Sequence, residues 1–180
     1  MADNNDDEMK PKRMFTILVI QGPNLNMLGK RDLGIYGNKT MEDVHNELHA
    51  LAHDLGCQVD CRQKNWEGQL IDWIQQASTW ANGIILNAGG LTHSSISMRD
   101  AVDVARSLGV PTIEVHISDI STRESFRRFS VFSAEPAVCL KQICGKGTDG
   151  YSIALRELVE HLTLKRASAE AAGDSKAPQS

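Results

Sequence analysis

The sequence predicts an α/β protein of flavodoxin-like type: a five-stranded parallel sheet with helices on both faces. Short apolar runs alternate with longer segments whose apolar residues recur at helical spacing, the pattern of strand–helix units in a parallel sheet. The first run, "FTILVI" from Phe15, is apolar at every position but Thr16, as in a strand buried on both faces. Five such strands favour a flavodoxin-like order over a six-strand Rossmann sheet.

Taken in order, "FTILVI" is the first strand and ends at "QGPN". "TMEDVHNELHALAHDLG" is the first helix: Met41, Val44, Leu48, Leu51 and Leu55 form its apolar stripe, Thr40 is its N-cap and Gly56 its stop. "CQVDCRQ" is the second strand, with Cys57, Val59 and Cys61 on one face. "EGQLIDWIQQASTWANG" is a helix striped by Leu70, Ile74 and Ala77, and "GIILN" is the third strand. "SSISMRDAVDVARSLG" is a helix, "VPTIEVHIS" the fourth strand and "AVCLKQICG" the fifth. "TDGYSIALRELVEHLTLKR" closes the domain as a helix. Residues 1–13 and 166–180 are small, polar or charged and read as a disordered extension and a flexible tail, leaving one domain over 14–165.

Composition narrows the function. The chain has 180 residues and a formal net charge of −4, which argues against a broad nucleic-acid surface. No apolar run approaches the length of a membrane span, and the acidic start "MADNNDDEMKPKR" is the opposite of a signal peptide. The four cysteines then read as reduced thiols of a cytoplasmic protein. His45, His49 and His53 recur at i, i+4, i+8, but beside the apolar stripe, so they are expected toward solvent rather than on a metal. A P-loop and a G-x-G-x-x-G fingerprint are absent, and no lysine sits alone at a strand end as a Schiff-base candidate.

Ligands in such sheets sit at the carboxyl ends of the strands. Asn24, Asn65, Glu67, Asn87, His116 and Ser118 fall at those ends. "AGG" after Asn87 lets a ligand approach backbone N–H groups, and "THSS" opens a helix whose N-terminus favours an anion. In the fourth strand Ile113, Val115 and Ile117 share one face, while Glu114 and His116 share the other. The loop at 24–37 is long and carries Lys30, Arg31 and Tyr36, as a lid delivering a guanidinium and a phenol would. A nearby guanidinium lowers the pKa of a phenol, which would suit Tyr36 to act as a base. Arg123 and Arg127 in "STRESFRRFS" share a helical face without an acid between them, which suits an external carboxylate. Together these groups suit proton abstraction beside a carbonyl of an anionic substrate. A flavodoxin-like module that binds FMN or an anionic metabolite without turnover is the alternative.

Six segments, "GPNLNMLGKRDLGIYG", "NWEGQLIDWI", "LNAGGLTHSSISMRDA", "IEVHIS", "ESFRRFS" and "GKGTDGYSIAL", resemble the type II 3-dehydroquinate dehydratases, in that family's order and from about residue 16 to about residue 161. The resemblance implies dehydration of 3-dehydroquinate to 3-dehydroshikimate through an enolate, without metal or organic cofactor, a step of the shikimate pathway of aromatic amino-acid biosynthesis that quinate breakdown also uses. It also implies a homododecamer, a tetramer of trimers. By resemblance Tyr36 is the base, Arg31 the lid arginine, Asn24 the holder of a water that stabilises the enolate, His116 the general acid and Glu114 its orienter. Asn87, His93, Ile117, Ser118 and Arg127 match substrate contacts. Asp100 matches a residue reaching in from a neighbouring subunit, and Arg123 an arginine near the lid tyrosine. Gln21, Trp66, Ser121 and Phe129 depart from the family's commonest pattern, and none of them is a proton-transfer group.

Overall fold

The computed structural model describes residues 14–30 and 38–174. Its centre is a parallel sheet of five strands in the order β2-β1-β3-β4-β5, the flavodoxin-like order. The strands are β1 (Phe15–Gln21), β2 (Cys57–Gln63), β3 (Gly83–Asn87), β4 (Thr112–His116) and β5 (Lys141–Cys144). Four helices cover them: α1 (Met41–Asp54), α2 (Glu67–Ala77), α3 (Ile96–Ser107) and α4 (Asp149–Asp174).

Strand alternation divides the core in two. Ile17, Val19, Ile85, Ile113, Val115 and Ile117 pack with residues of α1 and α4. Leu18, Ile20, Ile84 and Leu86 point the other way and pack with α2 and α3. A strand with core on both sides has to be apolar throughout, which is why "FTILVI" does not alternate. The aliphatic face expected for β4 lies wholly in the first of these clusters.

Helix α1 is capped as its sequence requires. Thr40 Oγ1 accepts from the Asp43 N–H at 3.1 Å and the Asp43 carboxylate accepts from the Thr40 N–H at 2.8 Å. Gly56, at φ 64°, lies just past its end. On the edge strand β2, Arg62 pairs with Asp60 at 2.7 Å and lies over the rings of Trp73 and Trp80 at 5.5 and 5.4 Å.

Several expectations need correction. The fifth strand is confined to Lys141–Cys144: the Val138 N–H turns back to the Phe132 carbonyl at 3.0 Å, and the backbone reaches β4 only from Leu140, whose N–H donates to the Thr112 carbonyl at 2.8 Å. The expected flexible tail from 166 is helical as far as Asp174. Its alanines are strong helix formers, and the Arg166 guanidinium lies 3.7 Å above the Phe15 ring. His45 is not turned to bulk solvent: it sits on the first turns of α1 above the end of β1, with Nε2 2.5 Å from Gln21 Oε1. Burial, and then the neighbouring His49, hold its pKa below the ordinary histidine value. The extension 1–13, Arg31 and Tyr36 lie outside the described residues.

Candidate active site

The carboxyl ends of β1, β3 and β4 open into one cleft, at the point where the strand order reverses between β1 and β3. Asn24, Asn87, His93, His116, Ile117, Ser118, Arg123 and Arg127, all expected site residues, line it. Gly89 and Gly90 of "AGG" also line it, and Pro23, Leu25 and Ile120 complete its walls without having been singled out by sequence. Asp100 is exposed on α3 and does not line this chain's cleft.

Two loops form the floor by touching backbone to backbone. The Gly22 N–H donates to the Asn87 carbonyl at 2.8 Å, and a side chain at Gly22 would strike the Ala88 carbonyl. Gly89, at φ 59°, faces the Pro23 carbonyl, which a Cβ would approach to 2.8 Å. Gly22 and Gly89 are therefore needed for the loops to pack, and this packing sets Asn24 beside Asn87. Asn24 itself is left-handed at φ 68°, a conformation asparagine tolerates, and its N–H donates to Asn65 Oδ1 at 3.0 Å. Asn65 thus supports the cleft from behind.

Asn87 is fixed on both sides of its amide. Nδ2 donates to the Tyr151 hydroxyl at 2.8 Å and Oδ1 accepts from the Gly89 N–H at 3.2 Å. Tyr151 is fully buried, and that burial pushes its phenol up to about 12 against the opposing hydrogen bonds from Gln21 and Asn87. It stays a neutral anchor. His93 gives its Nδ1 to the Phe129 carbonyl at 2.6 Å, which leaves Nε2 on the cleft side.

The chemical centre is the pair on the polar face of β4. His116 Nε2 meets Glu114 Oε1 at 2.8 Å, and both side chains are buried. Glu114 also accepts from Ser130 Oγ at 2.6 Å, Ser133 Oγ at 2.5 Å and Gln142 Nε2 at 2.9 Å. Burial alone would raise the pKa of Glu114. The hydrogen bond and charge of His116 and the serine hydroxyls outweigh it and hold the carboxyl below the ordinary glutamate value. An ionised Glu114 requires His116 Nε2 to carry a proton, and Nδ1 is then the nitrogen available to the cleft. The residues behind Glu114 come from later segments that no local pattern tied to β4.

Arg123 and Arg127 reach the cleft, but not from a shared helical face. Arg123 is extended between two short 3-10 turns, Ile120–Thr122 and Ser125–Arg127. An acid does lie between them: Glu124 Oε2 is 3.3 Å from Arg123 Nε and 3.5 Å from Arg127 Nε. Arg123 also donates to Ser118 Oγ at 3.2 Å. The cleft thus holds two guanidiniums, with the Glu124 carboxylate between them.

Three other expectations change, and two of the departures from the family pattern can be placed. The run "THSS" does not start the helix: a 3-10 turn, Gly89–His93, intervenes, and α3 begins at Ile96 with Ser95 as cap. The anion expected at that N-terminus is internal, because the Ser95 hydroxyl donates to Glu67. Glu67 therefore ties α2 to α3 and does not line the cleft. Trp66 is 75% exposed, and Ser121 is held by Asp119, with N–H and Oγ at 2.9 and 2.7 Å from Oδ1.

Comparison with known proteins finds a matching family and solved structures of the same fold. The family described as dehydroquinase class II matches residues 15–159. A 3-dehydroquinate dehydratase of Halalkalibacterium halodurans is 48% identical over 147 residues, covering 82% of this chain and 97% of the relative. One from Rhizobium johnstonii is 46% identical over 143 residues, covering 79% and 94%. The crystal structure of a type II dehydroquinase from Butyrivibrio crossotus superposes with a TM-score of 0.76 at 43% identity, covering 81% of this chain and 97% of that one.

Proposed function

The chain belongs to the class II dehydroquinase family, and on that premise we propose that its carboxyl-end cleft removes water from 3-dehydroquinate to give 3-dehydroshikimate, without a Schiff base, in the shikimate pathway. The observation that carries this reading is the buried Glu114–His116 pair at 2.8 Å, opening onto a cleft that also holds Arg123 and Arg127. A fixed acid beside cationic groups suits an anionic hydroxy-ketone.

In the proposed reaction Tyr36 takes the proton from the carbon beside the ketone, and the electron pair moves onto the carbonyl oxygen as an enolate. A water held by Asn24 donates to that oxygen. The pair then returns to form the carbon–carbon double bond while the bond to the departing hydroxyl breaks. His116 gives the hydroxyl its Nδ1 proton, so the oxygen leaves as water, and Glu114 steadies the imidazolium before that transfer. Arg127 and the backbone at Ile117 and Ser118 grip the substrate carboxylate, while Asn87 and His93 hold its ring hydroxyls. Arg31 closes over the substrate and favours the phenolate of Tyr36, with Arg123 near it.

Asp100 lies off this chain's cleft, which supports the further proposal that it serves a neighbouring subunit in a trimer-based dodecamer. The four cysteines are free thiols, which suits the cytoplasm, and no helix among the described residues is long and apolar enough to cross a membrane.

A direct assay tests the reading. Purified protein mixed with 3-dehydroquinate should develop the absorbance of the conjugated enone, and borohydride should leave the rate unchanged. Binding without enone formation would refute the enzyme, and inactivation by borohydride would refute the mechanism.

A further inference from the structure

Glu114 has no solvent exposure, and its two oxygens are fully subscribed. Oε1 accepts from His116 and Ser130, and Oε2 from Ser133 and Gln142. Four donors match the roughly four lone-pair sites of a carboxylate. The Oε2 side has its own architecture. Gln142 lies directly opposite Glu114 in the β4–β5 register, so strand pairing delivers its amide. Ser133 arrives on the turn that follows β4's connecting loops, three residues after Ser130. Beside them lies a second cleft, lined by Ser130, Ser133, Gln142, Cys144, Arg128 and Phe129 and sharing Ile120 with the first. Ser133 and Gln142 therefore stand between the carboxylate and that cleft.

We propose that Gln142 and Ser133 are positioning residues for the reaction: they hold Glu114 anionic and fixed in plane, and thereby keep the His116 ring oriented with Nδ1 toward the substrate. This rests on His116 being the acid of the proposed dehydration. Neither residue touches the substrate cleft, so each acts through Glu114. Ser130 is a poorer probe, because its hydroxyl also accepts from the Phe132 N–H at 3.2 Å and shapes the turn.

The groups facing Glu114 make the electrostatic consequence definite. His116 shares its strand. The Cys139 and Cys144 thiols are pushed up by burial and then by the charge of Glu114, Cys144 to about 11, so both are neutral. Arg99, near Cys139, is engaged with the carbonyls of Val131 and Pro136 at 2.8 and 2.6 Å. Asp119 adds negative charge near Cys144. Removing a neutral donor from Oε2 leaves these charges in place and makes the anion harder to sustain, so the carboxyl must titrate higher.

Gln142→Leu should lower kcat about tenfold, the order set by one hydrogen bond to a charged group, with KM within about twofold. In a Glu114→Gln background the same change should alter kcat by less than about twofold, because its target is gone. Ser133→Ala should act in the same direction and Ser133→Thr should restore activity. Independently of turnover, the Glu114 side-chain 13C titration should rise by about one pH unit in Gln142→Leu and in Ser133→Ala. Equal kcat losses in both backgrounds, or an unmoved Glu114 midpoint, would overturn the proposal. An inactive parent, or a His116→Ala enzyme of normal rate, would overturn the functional reading. The 13C titration would then still decide whether Gln142 and Ser133 hold the carboxylate.

Discussion

Two cavities lie at opposite ends of the sheet, and both contain histidines. The larger is at the amino ends of β1 and β2, walled by Met14, Thr16, His49, His53, Cys57 and Trp80. The smaller is the carboxyl-end cleft of His93 and His116. In the larger one His49 and His53 are exposed, and the nearest acid to His53 is the 78%-exposed Asp54 at 3.7 Å. In the smaller one His116 is buried against a carboxylate that four donors hold in place. Cavity size and residue type do not separate the two. What separates them is a partner fixed in a water-poor setting, where a charge pair orients a ring and holds a proton at a chosen atom.

The sharpest way to break this comparison is to remove the proposed acid and base. His116→Ala and Tyr36→Phe should each lower kcat by about 10²–10⁴-fold, the usual worth of a general acid or base, with the circular dichroism spectrum unchanged. Arg127→Ala should act chiefly on binding. Loss of a charge-assisted contact should raise KM by about tenfold to a hundredfold, read from initial rates. The pH profile tests the same pair more gently. Glu114 is held below the ordinary glutamate value, so its ionised form persists as pH drops through that range. Its contribution to stability is complete above the unfolded value of about 4.3 and is lost only as pH falls through the lower folded value. Denaturation midpoints of the parent and Glu114→Gln should therefore converge below pH of about 4 and separate above it. The smallest effect belongs to the other cavity: His49→Ala and His53→Ala should leave kcat/KM within about twofold.

The fold was more legible than the machinery behind the site. "FTILVI" and the stripe of α1 declare a doubly covered strand and an amphipathic helix, because burial acts on every residue of those segments. The alternation in "IEVHIS" likewise separated the core face from the face that carries Glu114 and His116. Register was not legible, since the pairing of Glu114 with Gln142 depends on how β5 slides against β4. The same limit hid Tyr151 behind Asn87, 64 residues away in sequence. Arg123 and Arg127 reached the cleft for a reason other than helical spacing: two short 3-10 turns carry them there. The reach of α4 to Asp174 was missed because a small, polar composition suits a solvated helix as well as a loose tail.

The most direct test is a crystal structure of the protein with a non-reactive dehydroquinate analogue that retains the departing hydroxyl. That oxygen should lie within about 2.6–3.2 Å of His116 Nδ1, with Nε2 still on Glu114 and the ligand carboxylate beside Arg127, Ile117 and Ser118. An analogue seated in the amino-end cavity, or a hydroxyl out of reach of the His116 ring, would contradict the account.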